Sequence, residues 1–446
     1  MSAEDDSLKL EDRVSESSTS KGPKDEEKST QVPEVAEVST LPPPPPNGGL
    51  TAWLQVIGCH ILFFNSWGIV NTFGAYQAFY QTHQLASSSP SAISWIGTIQ
   101  GFLMIVIGVF TGPLYDMGYL RTLMYTGTFL IVFGLMMASI STDYYQVFLS
   151  MGVCVGLGSG CLFIPSAAIV SQWFSTKRGA AVGLAATGGS LGGVIYPIIF
   201  RRLVGSIGYG WATRIIAFLA LATLSISLTI SKARILPAKK RSLIDYAALK
   251  DVPFMVFTVS LFVVFVGFYI PFFYMPWYAE QTLDTSQDLA FYLLSAMNGA
   301  SVVGRVGPNI LSDKVGPLNI MIPFTFISGI LAFAWIRTRT FASVVVFCIL
   351  YGFFSGAIVA LLPTSLIVFC PDIRVLGARM GMCFSFLGLG VLIGSPIAGV
   401  LLDSQVGFHG LKAFCGIMVI VGSMATGLAY YLHLAGAAKR ASRIAA

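Results

Sequence analysis

The sequence predicts an all-α polytopic membrane protein, with twelve transmembrane helices in two six-helix bundles. Three observations carry this. Of 446 residues, 55% are hydrophobic and only 11% charged, with mean hydropathy +0.74, whereas soluble domains carry roughly 25% charged residues. Twelve apolar stretches are each long enough to cross a ~30 Å hydrocarbon core as a helix. The chain also repeats itself at an interval of about 198 residues. Gly158 precedes Pro165 as Gly356 precedes Pro363, and Pro113 and Asp116 recur as Pro308 and Asp313. Two similar halves of several apolar helices each are a transporter pattern.

Residues 1–49 come first, rich in Ser, Glu and Lys and ending in Pro42 to Pro46. They cannot bury enough apolar surface to order themselves and contain no signal-peptide core, so they read as a disordered cytosolic tail. The apolar stretches then run at 53–79, 91–114, 121–140, 143–172, 178–202 and 211–231, and at 253–279, 287–311, 318–337, 341–369, 374–401 and 410–434. The first six make an N-terminal bundle at 50–231 and the last six a C-terminal bundle at 253–434. A basic linker at 232–252 joins them, and 435–446 forms a second tail. Internal prolines such as Pro165, Pro197, Pro271, Pro276 and Pro363 mark bends that membrane helices tolerate. Glycines at four-residue steps (Gly152, Gly156, Gly160; Gly189, Gly193) line up smooth strips for close helix approach.

Charge sets the topology. Residues 1–50 hold five Lys/Arg against eleven Asp/Glu, and the remainder 22 against 10. Fifteen of those cations fall in the even-numbered loops and the C-terminus, and five (Arg201, Arg202, Arg337, Arg339, Lys412) on the other side. The positive-inside rule then places both termini in the cytosol, most simply at the plasma membrane. The positive excess reports orientation, and no nucleic-acid partner is expected. The seven cysteines lie in or beside apolar stretches without metal-ligand spacing, which favours buried free thiols. There is no GxxxxGK[ST] loop and no metal cluster. Gly156-Leu-Gly158-Ser-Gly160 is not a dinucleotide fingerprint. No cofactor, no metal and no enzymatic activity are expected.

Twelve helices in two repeats around a basic middle loop resemble the major facilitator superfamily. Gly112-Pro-Leu-Tyr-Asp116-Met-Gly118-Tyr-Leu-Arg121 is similar to that family's loop between helices 2 and 3, and Asn309-Ile-Leu-Ser-Asp313-Lys-Val-Gly316 to its second copy. Both lack the usual arginine after the aspartate. Two further stretches resemble the monocarboxylate porter branch, in its fungal type. Pro46-Asn47-Gly48-Gly49-Leu-Thr-Ala-Trp53 enters helix 1 with Asn47 where an aspartate is usual. Trp173-Phe174-Ser-Thr-Lys177-Arg178-Gly179 through Gly188 spans helices 4 and 5. The resemblance implies a secondary transporter, often proton-coupled, for small organic acids or related metabolites. It also implies that Asp116, Asp313 and Arg178 serve an inner gate; solubilising loop charges are the alternative for the aspartates.

Arg305 is the sharpest candidate. It sits in Asn298-Gly-Ala-Ser-Val-Val-Gly-Arg305, inside the eighth stretch, where a charge needs a partner, a cavity or water. A guanidinium suits a carboxylate through its paired donors, and in the porter branch an arginine here binds the substrate. It could instead snorkel to the cytosolic face or pair with Asp313. The branch's carboxylate, four residues earlier, is Ser301 here, and its helix 1 lysine falls at Asn71. The proton relay therefore does not carry over, and the site favours a less strongly anionic, bulkier substrate. Asn65, Trp67 and Asn71 on helix 1 and Asn298 on helix 8 complete the polar set, although Asn65 serves a helix–helix hydrogen bond equally well. Tyr269 and Tyr274, on a proline-bent aromatic helix 7, line a cavity or belong to an interfacial belt. His60 is the candidate replacement proton carrier; a neutral histidine bonded to a carbonyl is the plainer reading.

The expected function is secondary active transport of a small organic acid or related metabolite by alternating access. Efflux of a bulkier secondary metabolite or drug-like compound is the alternative, and a non-transporting membrane sensor a second one. The expected partners are a small organic anion or amphipathic metabolite, protons under the coupled reading, and the lipid bilayer.

Overall fold

The computed structural model describes residues 45–174, 178–234, 245–283, 285–370 and 376–445. The tail read as disordered, up to Pro44, and the centre of the basic linker lie outside them. Among the described residues, 11 helical spans are long and apolar enough to cross a membrane. The longest, Arg178–Ile230, is two helices, because Gly208 has φ 78° and ψ 168°, a backbone setting that glycine adopts at little cost. The helices are α1 (Leu50–Phe79), α2 (Pro90–Asp116), α3 (Leu120–Ala138), α4 (Tyr144–Trp173), α5 (178–207) and α6 (209–230). They continue as α7a (Val252–Phe268), α7b (Ile270–Leu283), α8 (Gln287–Val315), α9 (Pro317–Ala334), α10 (Phe341–Val368), α11 (Leu376–Asp403) and α12 (Gly407–Ala445).

Two bounds differ from the sequence reading. A loop was expected at 203–210, but the helix runs on to a single hinge residue, because that stretch holds no proline and Tyr209 is needed inside. Its hydroxyl lies 2.8 Å from that of Tyr80, at the end of the neighbouring α1. The C-terminal stretch does not give way to a tail at 435; α12 continues to Ala445.

Local chemistry explains the ends and bends. Ser89 caps α2 by accepting from the Ala92 amide at 3.2 Å, with Pro90 in the first turn. Thr340 and Ser343 form a reciprocal cap on α10. Helix 7 breaks at Tyr269 because Pro271 has no N–H for the Gly267 carbonyl, four residues earlier. The carbonyls freed there are taken by side chains: Cys415 Sγ lies 3.3 Å from Gly267 O, and Tyr351 donates to Phe268 O at 2.9 Å. A lipid-embedded bend needs this internal satisfaction.

Close helix approach follows the glycine strips. A Cβ at Gly156 would sit 3.0 Å from Gln100 O, and one at Gly160 3.0 Å from Leu103 O, so α4 lies directly on α2. At Gly188 a Cβ would collide with the His60 carbonyl, which fixes α5 against α1. Within the first half α1 packs on α4, α5 and α6; within the second, α8 packs on α10 and α7a on α11 and α12. Across the seam, α2 meets α11, α5 meets α8, and α1 meets α7b.

The seam is uneven. Connections at 116–120 and 315–317 mark one end of the bundle, here the basic end; connections at 84–90 and 403–407 mark the far end. At the far end Ser91 Oγ donates to Pro396 O at 2.9 Å, Arg202 to the Tyr292 hydroxyl at 2.9 Å, and the Phe73 and Phe273 rings meet at 5.2 Å. Towards the basic end a Cβ at Gly381 of α11 would lie 2.9 Å from Val109 of α2, while α4 and α10, the helices of the Gly–Pro repeat, make at most glancing contact among the described residues. The outer faces present large apolar side chains, including Phe129 at 63% and Met424 at 62% exposure. Such a surface is suited to lipid rather than water.

Candidate functional site

Asn298, Ser301 and Arg305 fall at positions i, i+3 and i+7 of α8, which places them on one helix face. That face meets α5, whose small residues bring its backbone within reach. The contact is a polar ladder across the seam. Arg305 Nη1 donates to Ala186 O at 2.8 Å, and Nε to Ser301 Oγ at 3.3 Å. Ser301 and Ser190 hydroxyls lie 3.2 Å apart, Asn298 Nδ2 donates to Gly193 O at 3.2 Å, and Ser295 to Val194 O at 3.4 Å. Arg305 is only 5% exposed. No carboxylate pairs with it among the described residues, and its Nη2 makes no hydrogen bond among them. It therefore keeps unused donors.

The break at Tyr269 turns Phe268, Tyr269 and Phe272 towards this ladder. Together with Asn71, Asn298, Ser301, Arg305 and the α10 residues Ser355, Gly356 and Val359, they line a void of about 10 Å³. That is the room of roughly one water. The chamber is thus closed around the guanidinium. Its chemistry is nevertheless plain: unused N–H donors at Arg305, acceptor oxygens at Asn71 and Asn298, and a wall of aromatic faces.

The structure sorts the sequence candidates. Asn71, Tyr269, Asn298 and Arg305 converge on the void. Trp67 stands behind them, its Cβ and Arg305 Nη1 both close to Gly189, with its ring edge-on to Phe163 at 5.9 Å. Two candidates are placed elsewhere. Asn65 is wholly buried and fully engaged within the first half: Nδ2 donates to Ile61 O and Thr223 Oγ1, both at 2.9 Å, and Oδ1 accepts from Tyr196 at 2.7 Å. It ties α1 to α5 and α6 rather than lining the chamber. Tyr274 lies at the far end, where its hydroxyl donates to Ser395 O at 2.9 Å. His60 Nδ1 lies 3.1 Å from Leu184 O and 3.4 Å from Thr187 Oγ1, so it faces α5 away from the void. Asp116 is buried at the end of α2. The side chains of Asp313 and Arg178 lie outside the described residues.

Sequence reasoning missed three features. The carbonyl partners on α5 are backbone atoms and leave no trace in the sequence beyond the glycines that expose them. Arg379, 3% exposed, donates to Asp245 at 3.0 Å, Asp251 at 2.7 Å and Phe369 O at 2.7 Å. It pins the segment before α7a to α11; two aspartates within the second half of the basic linker were its only signal. Lys412, 3% exposed, sits 3.7 Å from the Tyr278 ring centroid and donates to Trp335 O at 3.3 Å, an aromatic box for a cation. The cysteines are free thiols, as expected. Burial pushes Cys370, between α10 and α11, up to about 11 against the pull of Arg379.

Comparison with known proteins agrees with this architecture. The family model of the Major Facilitator Superfamily matches residues 56–374. The MFS-type transporter dbaD of Emericella nidulans is 42% identical over 84% of this chain and 85% of its own length. The MFS transporter asaE of Aspergillus flavus is 41% identical over 86% of this chain and 87% of its own length. The Aspyridones efflux protein apdF of Emericella nidulans is 37% identical over 85% of this chain and 78% of its own length.

Proposed function

The chain belongs to the major facilitator superfamily, a family of multi-pass membrane transporters for small molecules, and from that membership we propose that it exports an oxygenated secondary metabolite. Two readings were open, uptake of a small organic acid and efflux of something bulkier. The name of apdF favours efflux, and so does the site: Ser301 stands where a proton-accepting carboxylate would serve a simple monocarboxylate. The observation that carries the proposal is Arg305. A buried guanidinium with unused donors, facing aromatic walls, suits a flat compound that bears one acidic oxygen, as a carboxylate or an enolate.

The same residue gives the mechanism. In the closed chamber Arg305 spends Nη1 on Ala186 O, across the seam. An anionic oxygen is a stronger acceptor than a neutral carbonyl. Substrate would draw the guanidinium off Ala186 and loosen α5 from α8, so that binding itself favours parting of the halves. Asn71, Asn298, Trp67 and Tyr269 shape the chamber. In this account the halves are 50–231 and 253–434, moving about the linker at 232–252, in the manner of the monocarboxylate porter branch. The basic end faces the cytosol at the plasma membrane, Asp116, Asp313 and Arg178 serve the gate there, and His60 is the group to test for proton coupling.

The test is ligand-induced thermal stabilisation of the purified protein. A panel of aromatic carboxylic acids and acidic phenols is compared with lactate and pyruvate. Stabilisation by the aromatic acids, lost in Arg305→Gln, is expected. Stabilisation by the small aliphatic acids alone would return the protein to organic-acid uptake.

A further inference from the structure

The far end of the seam hides polar groups that the closed structure leaves unused. Gln77 on α1 is wholly buried, and its amide makes no well-formed hydrogen bond, only a loose approach to the Tyr274 hydroxyl across the seam. Gln81, one turn on and half-buried as a residue, also has a buried amide without a well-formed hydrogen bond. Across the seam, the Ser395 hydroxyl on α11 is 1% exposed and likewise unpartnered. These are not interior positions of one half. Gln77 lies three and four residues beyond Gly74 and Phe73, which touch Phe272 and Phe273 of α7b. The Tyr274 hydroxyl, next on α7b, reaches Ser395 O. A Cβ on Gly399 would lie 2.8 Å from that hydroxyl and 2.6 Å from Ser91 of α2. The cluster thus belongs to the surface along which the halves separate.

Buried polar groups in membrane proteins normally find partners. A seam that only had to seal would be better built from leucine. Groups unsatisfied when the seam is shut and wetted when it opens are those of a path. None of the three side chains is charged, so the set offers hydrogen bonds without the strong hold that Arg305 exerts. We propose that the under-satisfied Gln77 and Ser395, with the Tyr274 hydroxyl beside them, form a second, transient station on the exit path, which takes neutral oxygen functions of the substrate, hydroxyl or carbonyl, after its acidic oxygen leaves Arg305. This rests on the export reading and adds to it a preference: substrates with a hydroxyl or carbonyl beside the acidic group.

Full-length Gln77→Cys protein in proteoliposomes tests it, with a membrane-impermeant maleimide applied at either face. The probes are salicylate and benzoate, which differ by one hydroxyl. Labelling from the far-end face is expected, against little in the parent protein, whose described cysteines are buried or half-buried. Salicylate should slow it by about fivefold, the worth of one hydrogen bond, and benzoate by less than about twofold. Ser395→Cys provides a second position should the first variant misfold. Absence of far-end labelling in both variants, equal slowing by the two acids, or slowing by neither overturns the station. A station that fails while Arg305-dependent stabilisation persists leaves export standing; loss of that stabilisation with selective protection intact removes the Arg305 role alone.

Discussion

Replacing Arg305 with methionine separates binding from folding, because the structure predicts opposite outcomes for the two. The guanidinium makes one short bond, to Ala186 O at 2.8 Å, and one long bond, to Ser301 Oγ at 3.3 Å. Neither partner is orphaned when it goes. Ser301 keeps Ser190 at 3.2 Å, and a helix-interior carbonyl such as Ala186 retains its place in the backbone ladder. The change also removes a buried charge that no carboxylate balances among the described residues, and methionine fills much of the same volume. Lost hydrogen bonds to a charged donor, about 1.5–3 kcal/mol each at best, are offset by the desolvation that the charge no longer suffers. The net change in stability should fall within about 1 kcal/mol. Binding has no such offset. Losing a charge-assisted contact to an acidic oxygen costs about 2–3 kcal/mol, which is roughly 30- to 150-fold in Kd. Calorimetric or fluorescence titration of detergent-purified protein with whichever aromatic acid stabilises the parent measures the second quantity, and thermal unfolding without ligand the first. Affinity within about threefold of the parent would refute the placing of Arg305 at the substrate. A collapse of the unliganded protein would mean that the guanidinium is a structural strut.

Three further outcomes are expected. Asn65→Leu strands the buried Tyr196 hydroxyl and breaks the α1–α5–α6 network; it should lower stability by about 1–3 kcal/mol while leaving ligand affinity unchanged, as thermal unfolding and titration will show. Gly188→Ala puts a methyl against the His60 carbonyl and should cost about 1–3 kcal/mol. Gly183→Ala meets nothing within 4 Å and should be neutral or stabilise by up to about 1 kcal/mol; melting curves of the pair decide it. Arg379→Gln leaves Asp245 and Asp251 without their guanidinium. Because Asp251 is partly exposed, the loss should be modest, about 1–3 kcal/mol, and should show as faster proteolysis between 231 and 252.

The helices were legible because lipid imposes a length and a composition that few other constraints disturb. The hinge at Gly208 was not, since one glycine in an apolar run does not announce whether the chain turns for one residue or eight. Arg305 was legible for the same reason as the helices: a charge in an apolar segment demands an explanation. The polar neighbours divide by geometry. From Trp67 to Asn71 a helix turns by about 40° net, so the two share a side. From Asn65 to Asn71 it turns by about 240°, so both cannot face one chamber. That rotation could have excluded Asn65 from the sequence. Tyr274 could not be excluded in this way, because the break at Tyr269 resets the phase of helix 7. The α5 carbonyls carry no sequence signature at all.

The seam must open for transport in the proposed direction. With α1 against α7b and Ser91 bonded to Pro396, the far end is held by contacts between the halves. Towards the basic end the halves touch as well: Arg305 of α8 reaches Ala186 O of α5, a Cβ at Gly381 of α11 would lie 2.9 Å from Val109 of α2, and the Phe163 and Phe384 rings of α4 and α11 approach to 6.3 Å. A chamber of about 10 Å³ admits no metabolite, so one end must give before substrate can reach Arg305. Under the proposed export, with positive charge marking the cytosol, that end is the basic one. Substrate then arrives from inside, displaces Ala186 O from Arg305, and loosens the α5–α8 ladder whose last rung, Arg202 to Tyr292, helps to hold the far end shut. Loading from the cytosol and release across the far end is the order that the proposed export requires.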